Sequence, residues 1–129
     1  MRRLRSDRGA EAVEFALLAP ILILLLVGIV EFGRAYHVQS MLSAAARDGV
    51  RVMALEDDPA AATAVTVASA SPVHLAPGDI SVSPVSCQDA SAGTIPTAQV
   101  VVTYQFEFLA GMLGPDITLT GKGTMRCFG

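Results

Sequence analysis

Phe15 to Val30 is a run of sixteen residues without a single charge, dominated by Leu and Ile. No other feature restricts the fold as much. As a helix the run covers about 24 Å, a little short of a hydrocarbon core of roughly 30 Å. Ala10, Ala12 and Val13 before it, and Phe32, Gly33 and Ala35 after it, extend the apolar length. Glu14 and Glu31 then fall near the two interfaces, where a charge costs less than at the bilayer centre. A secretory signal has an apolar stretch of about 7–15 residues followed closely by a small-residue cleavage site. Here the nearest small cluster, Ser43-Ala44-Ala45-Ala46, lies too far downstream. The sequence predicts a retained transmembrane helix over residues 10–35. Pro20 lies inside it, lacks an N–H and crowds the preceding turn, so an accommodated kink is expected.

Charge supplies the orientation. Arg2, Arg3, Arg5 and Arg8 against Asp7 leave residues 1–9 at +3, so the rest of the chain carries −6 of the net −3. On the far side only Arg34 and Arg47 fall within reach of the span, and the positive-inside rule places the N-terminus in the cytoplasm. The acidic body lacks the basic footprint of a nucleic-acid binder. The 129 residues suffice for one small domain and an anchor. A hydrophobic share of 52%, a charged share of 16% and a mean hydropathy of +0.51 sit on the membrane side of soluble averages. The chain has no Trp, so one usual interfacial anchor is missing.

Cys87 and Cys127 both fall in the external part, where an even cysteine count in an oxidising compartment predicts a disulfide. Closing a loop of about 40 residues stabilises a domain by about 4 kcal/mol in the chain-entropy account. The alternative is a redox or metal pair, but no CxxC is present, and His37 and His74 show no ligand spacing.

Beyond the span, Glu31 to Leu55 continues without proline. Val38, Met41, Leu42, Ala45, Gly49, Val52 and Met53 recur at spacings of three and four, one apolar stripe on a helical period. A single rod from Ala10 to Leu55 would be about 69 Å long. Its stripe most simply packs on the chain's own domain; a surface for other subunits is the competing reading, since Ala44-Ala45-Ala46 and Gly49 permit close backbone approach. Glu56-Asp57-Asp58-Pro59 ends the rod. Asp58 as N-cap and Pro59 at the first helical position predict a second helix to about Ala70, although Val65-Thr66-Val67 also suits a strand. Pro72 and Pro77-Gly78 mark loop.

The last third alternates as β-structure does. Ile80 and Val82 alternate with Ser81 and Ser83 until Pro84, an edge strand or a bulge. In Gln99–Leu109, Val100, Val102, Tyr104, Phe106 and Phe108 share one face, and Thr103, Gln105 and Glu107 the other. Ile117, Leu119, Met125 and Cys127 share a parity that points inward, with Gly121 and Gly123 weakening the strand or marking a bulge. The expected fold class is α+β: a long N-terminal membrane-spanning helix continuing outside the membrane, a short second helix, and an antiparallel sheet of about three strands packed on the long helix. Met112 and Leu113, in an apolar connection, are expected to fold back onto the core rather than form a contact site. No phosphate loop, paired-carboxylate motif or nucleophile motif appears, so neither an enzyme nor a small-molecule substrate, cofactor or metal is expected.

Residues 8–20, RGAEAVEFALLAP, join the basic arm to the apolar run. Gly9, four residues, then Glu14-Phe15 resembles the short-leader, Flp-type class of type IV prepilins. From Arg2 to Leu55 the chain is similar to the TadE-like family, on EFALLAP, GIVEFGRA and AARDGVR; the ending ITLTGKGTMRC is similar more loosely. The resemblance implies a minor pilin or pseudopilin of a tight-adherence pilus or secretion machine, at the inner (cytoplasmic) membrane. It implies cleavage between Gly9 and Ala10 by a prepilin peptidase, removing residues 1–9 and leaving an extracytoplasmic pilin-like domain over residues 36–129. Glu14 and Phe15 become the processing and assembly motif, and the implied partners are the peptidase, other Tad/Flp pilins and the inner-membrane assembly platform. The competing class is an uncleaved single-pass protein with an external binding domain unrelated to pili.

Gly9 is expected to leave the scissile bond unhindered and extended. Cleavage exposes an α-amine at Ala10, mostly protonated at neutral pH, since free α-amines titrate near about 7.7–8.0. Glu14 lies four residues on, on the same helical face, placed to pair with its own amine or a neighbour's. In the interface such a pair is screened less than in water. The structural alternative is that Glu11 and Glu14 only favour the helix N-terminus through its dipole.

Overall fold

The computed structural model describes residues 4–88, 95–111 and 114–128, with side chains from Gly9 onward. Helix α1 runs unbroken from Leu4 to Glu56. Helix α2 is Pro59–Ser69, a 3-10 turn covers Pro77–Asp79, and strands β1 (Ile80–Ser83), β2 (Thr97–Phe106) and β3 (Ile117–Arg126) follow. The expected α+β architecture is the one observed. The strands form one antiparallel sheet in the order β1-β2-β3. The outer part of α1 lies on β3 and β2 along one side and on α2 along another, a two-layer arrangement around one core.

The rod ends through two adjacent aspartates with different roles. Asp57 adopts φ 55°, a left-handed conformation that Asp tolerates better than most residues, and its N–H donates to Met53 O at 3.1 Å. Its carboxylate accepts from Ser86 Oγ at 3.0 Å and from the Cys87 amide. Asp58 is the N-cap of α2, accepting from the amides of Ala60 and Ala61, with Pro59 opening the helix. The segment that also suited a strand is therefore helix. Cys87 and Cys127 are bonded, Cα atoms 5.7 Å apart, and both are buried beside this corner.

The inward parity of β2 is as the sequence predicts: Ala98, Val100, Val102 and Phe106 are buried, while Thr103 and Gln105 are exposed. The strand begins two residues earlier than expected and ends at Phe106. The edge position of β1 also agrees, with Pro84 just past its end.

Two expectations for β3 need correction. Its register with β2 is continuous, so Gly121 and Gly123 mark no bulge. They face the helix. A Cβ at Gly121 would overlap the Leu42 carbonyl carbon and oxygen and come within 2.8 Å of Ser43 N; one at Gly123 would overlap Ala46 O and come within 2.9 Å of Arg47 N. Their partners across the ladder, Val102 and Val100, are fully buried on the same face. The glycines form the floor on which α1 rests and the valines fill the space beside it. Ile117 keeps the inward parity but, at the strand's start, is exposed.

Beyond Ala35 the buried side of α1 comprises Leu42, Ala45, Ala46, Gly49, Val50, Met53 and Ala54. It is wider than the predicted stripe because two neighbours cover it. Gly49 is where α2 crosses: a Cβ there would overlap Thr66 Oγ1 and reach Ala62 O at 3.0 Å. Thr66 is buried, its hydroxyl donating to Ala62 O at 2.7 Å. The expected fold-back of Met112 and Leu113 lies outside the described residues.

Gly123→Val should destabilise the domain by at least about 2 kcal/mol through overpacking against helix backbone. Gly78→Ala, where an added Cβ meets nothing within 4 Å, should change little. Thermal unfolding of the full chain in detergent reads both; equal melting temperatures for the two variants would contradict the contact.

Candidate functional site on the N-terminal helix

What the domain buries on α1 begins at Glu31 and Ala35; towards the N-terminus the helix is largely bare. Phe15, Leu17, Ile21, Ile23, Leu26 and Ile29 are each more than half exposed. This is the one helix among the described residues long and apolar enough to cross a membrane; its most apolar window has a mean hydropathy of 2.8 and none of it is buried by the chain itself. An apolar surface of this extent needs lipid or other apolar helices around it.

Gly9, Ala10, Glu14 and Phe15 all lie on this bare part, and all four are exposed. Helical geometry sets Ala10 and Glu14 one turn apart on one face. The extended backbone expected at Gly9 is not what the chain adopts: α1 passes through it. Ala10, Glu11 and Ala12 are good helix formers, and one glycine costs a helix only about 1 kcal/mol, too little to stop propagation. The site is accessible all the same, because a Cβ at Gly9 would meet nothing within 4 Å. Arg2 and Arg3, and the side chains of Arg5 and Arg8, lie outside what is described.

A second group, which the sequence reading placed only as an interfacial charge, marks the end of the bare segment. Glu31 is 2% exposed. Its Oε2 accepts from Arg34 Nη1 at 2.9 Å and its Oε1 from the Ala110 amide at 3.1 Å. Arg34 Nη2 donates to Glu107 O at 3.1 Å, and the guanidinium stands 4.7 Å over the Phe106 ring. Phe106, Phe108 and Phe32 follow edge to face, with centroids 5.5 and 6.5 Å apart. The carboxylate and guanidinium thus tie the segment after β2 to the helix. The sequence signal was present, an i,i+3 acid–base pair, but its partners lie more than seventy residues away.

Residues 9–51 match the family model of TadE-like protein. The matched stretch is confined to α1: the exposed segment from Gly9 to Phe15, the apolar run, the Glu31–Arg34 pair and most of the face that receives the sheet. Comparison with curated proteins and with solved structures gives no significant match. The TadE-like stretch therefore combines a bare half with a docked half.

Glu31→Ala leaves the Ala110 amide and the Arg34 guanidinium without their acceptor, a loss of about 1–3 kcal/mol. Hydrogen exchange at residues 109–111 should accelerate, with exchange in β2 and β3 unchanged; unaltered protection at Ala110 would contradict the tie.

Proposed function

We propose that the chain is a minor pilin or pseudopilin of a tight-adherence, Flp-type pilus or a related secretion system. In this reading it is made as a prepilin at the inner membrane, with the basic residues 1–9 in the cytoplasm and residues 36–129 outside. A prepilin peptidase cuts between Gly9 and Ala10, and the mature chain meets other pilins and the assembly platform in the membrane. The observation that carries the reading is the bare apolar half of α1 within the TadE-like stretch, with Glu14 exposed one turn from Ala10.

The physical steps follow from the residues. Glycine lowers the cost of unwinding the helix locally, by about 1 kcal/mol relative to alanine, where the peptidase needs an extended bond. The cut removes the arginines that hold the N-terminus on the cytoplasmic side. It leaves a protonated amine at Ala10, which Glu14 of the same or a neighbouring chain neutralises in a weakly screened environment. Neutralisation lets the apolar helix pass from lipid into a bundle of like helices without carrying an unpaired charge. The domain remains outside, held by its own sheet contact, and needs no rearrangement.

Gly9→Val meets no steric obstacle within the chain, so its effect isolates processing from folding. It should leave the protein full length in cells with active peptidase, whereas N-terminal sequencing of the unaltered protein should begin at Ala10. A normal mature band from Gly9→Val would contradict the cleavage, and an uncut native N-terminus would favour a single-pass binding protein unrelated to pili. Glu14→Ala should insert and be cut normally yet reduce assembly severalfold in sheared-fibre and co-purification assays. Normal assembly would return Glu14 to a helix-dipole role.

A further inference from the structure

Leu109 stands where two grooves of opposite chemistry meet. On one side it lines a largely polar groove with Arg34, Gln105 and Glu107; on the other, with Ala110, it lines an open, almost wholly apolar groove against Leu26, Val27 and Val30. Leu26 lies five residues, about 7.5 Å, deeper along the helix than Glu31. The segment after β2 therefore returns onto a part of α1 that belongs to the apolar span. It is held there by the Glu31 carboxylate on the Ala110 amide. Leu109 itself is 78% exposed, and nothing among the described residues covers it.

We infer that this segment is a second, shallow lipid contact: Leu109 dips into the leaflet facing the domain, and an acyl chain occupies the groove between it and Leu26, Val27 and Val30. The inference rests on the membrane-spanning reading of α1 and extends it to a part of the sheet domain. The occupant follows from continuity. The groove's helical wall is the surface of the span, so whatever solvates Leu26 and Val27 also fills the groove. Water there would face apolar walls on both sides. The Phe32 and Phe108 rings and Tyr36 lie on the domain side of the groove; Phe32 and Tyr36 are 66% and 78% exposed. Tyr36 is at the level where a phenol prefers to sit, apolar body towards lipid and hydroxyl towards water. The polar groove with Arg34 and Glu107 begins where headgroups and water would. Leu109 thus sets the depth of the domain, which rides on the bilayer instead of standing clear of it on the rod.

The chain has no Trp, so single tryptophans report on their own positions. Full-length Leu109→Trp, Leu24→Trp and Val85→Trp are each reconstituted in dioleoylphosphatidylcholine vesicles, with and without lipid brominated at different acyl depths. Val85 is 77% exposed and lies beside the corner where Cys87 meets Asp57, far along the rod. Leu109→Trp should emit at shorter wavelength than Val85→Trp and lose most intensity with lipid brominated near the ester end. Leu24→Trp should be quenched best by deeper bromines. Water-like, unquenched emission from Leu109→Trp beside a quenched Leu24→Trp would overturn the lipid contact and leave the span intact. A blue-shifted Leu109→Trp that bromolipid does not quench would also overturn it, because protein, such as a second copy of the chain, would then cover the site. An unquenched Leu24→Trp would remove the membrane reading and this inference with it.

Discussion

The contact of the α1 backbone with Gly121 and Gly123 of β3 governs the rest of the molecule. A helix normally sits on a sheet at a distance set by side chains; here two consecutive inward positions carry none, and the backbone itself is the contact. Val100 and Val102, the ladder partners of the glycines, then pack beside the helix rather than beneath it. Dispersion and burial gain from this approach because helix backbone, at Leu42–Ser43 and Ala46–Arg47, reaches the glycines directly; Gly49 serves the separate crossing with α2. The consequence is a division along one rod. The outer part is fixed by its own sheet and second helix, and the inner part, apart from the Leu109–Ala110 segment beside Leu26, Val27 and Val30, is bare of intrachain cover among the described residues. The disulfide and the two aspartates of the corner after α1 secure the distal end of the same contact.

The boundary between the halves is also built, not left to composition. Glu31 is the one charged side chain buried on α1 among the described residues; it accepts from Arg34 on the helix and from the Ala110 amide in the segment after β2. A buried carboxylate is tolerable only when paired and hydrogen-bonded, and here it is both. The arrangement makes the level of Glu31 along the helix the level of the domain's base. In the proposed pilin that level is the water–hydrocarbon boundary, so one residue coordinates the position of the sheet with the depth of the span.

Much of this was legible in the sequence because each feature has a local signature. The long apolar helix shows as an uncharged run, β2 as alternation, α2 as Asp58-Pro59, and the disulfide as two cysteines downstream of that run. The rest fails for identifiable reasons. Glycine carries no hydropathy signal, so Gly121 and Gly123 read as defects in a strand when they are its most constrained positions. The stripe on α1 omitted Ala46, Val50 and Ala54 because one period was fitted to a helix covered on two sides. Glu31 read as an interfacial charge because the groups that bury it come from the far end of the chain. Gly9 read as a helix breaker, yet the residues after it carry the helix through. Of the proposed processing and assembly site, the sequence held everything but the exposure: that Gly9, Ala10, Glu14 and Phe15 lie on a surface the domain never covers is a property of the fold.

Photo-crosslinking in cells that assemble pili tests this division most directly. A diazirine side chain at Leu22, on the bare half, should give adducts with other membrane subunits; one at Val38, packed against the core, should give only intrachain adducts with the sheet domain. Intersubunit adducts from Val38 with none from Leu22 would mean that the outer stripe, not the apolar run, is the assembly surface, and the account would be wrong.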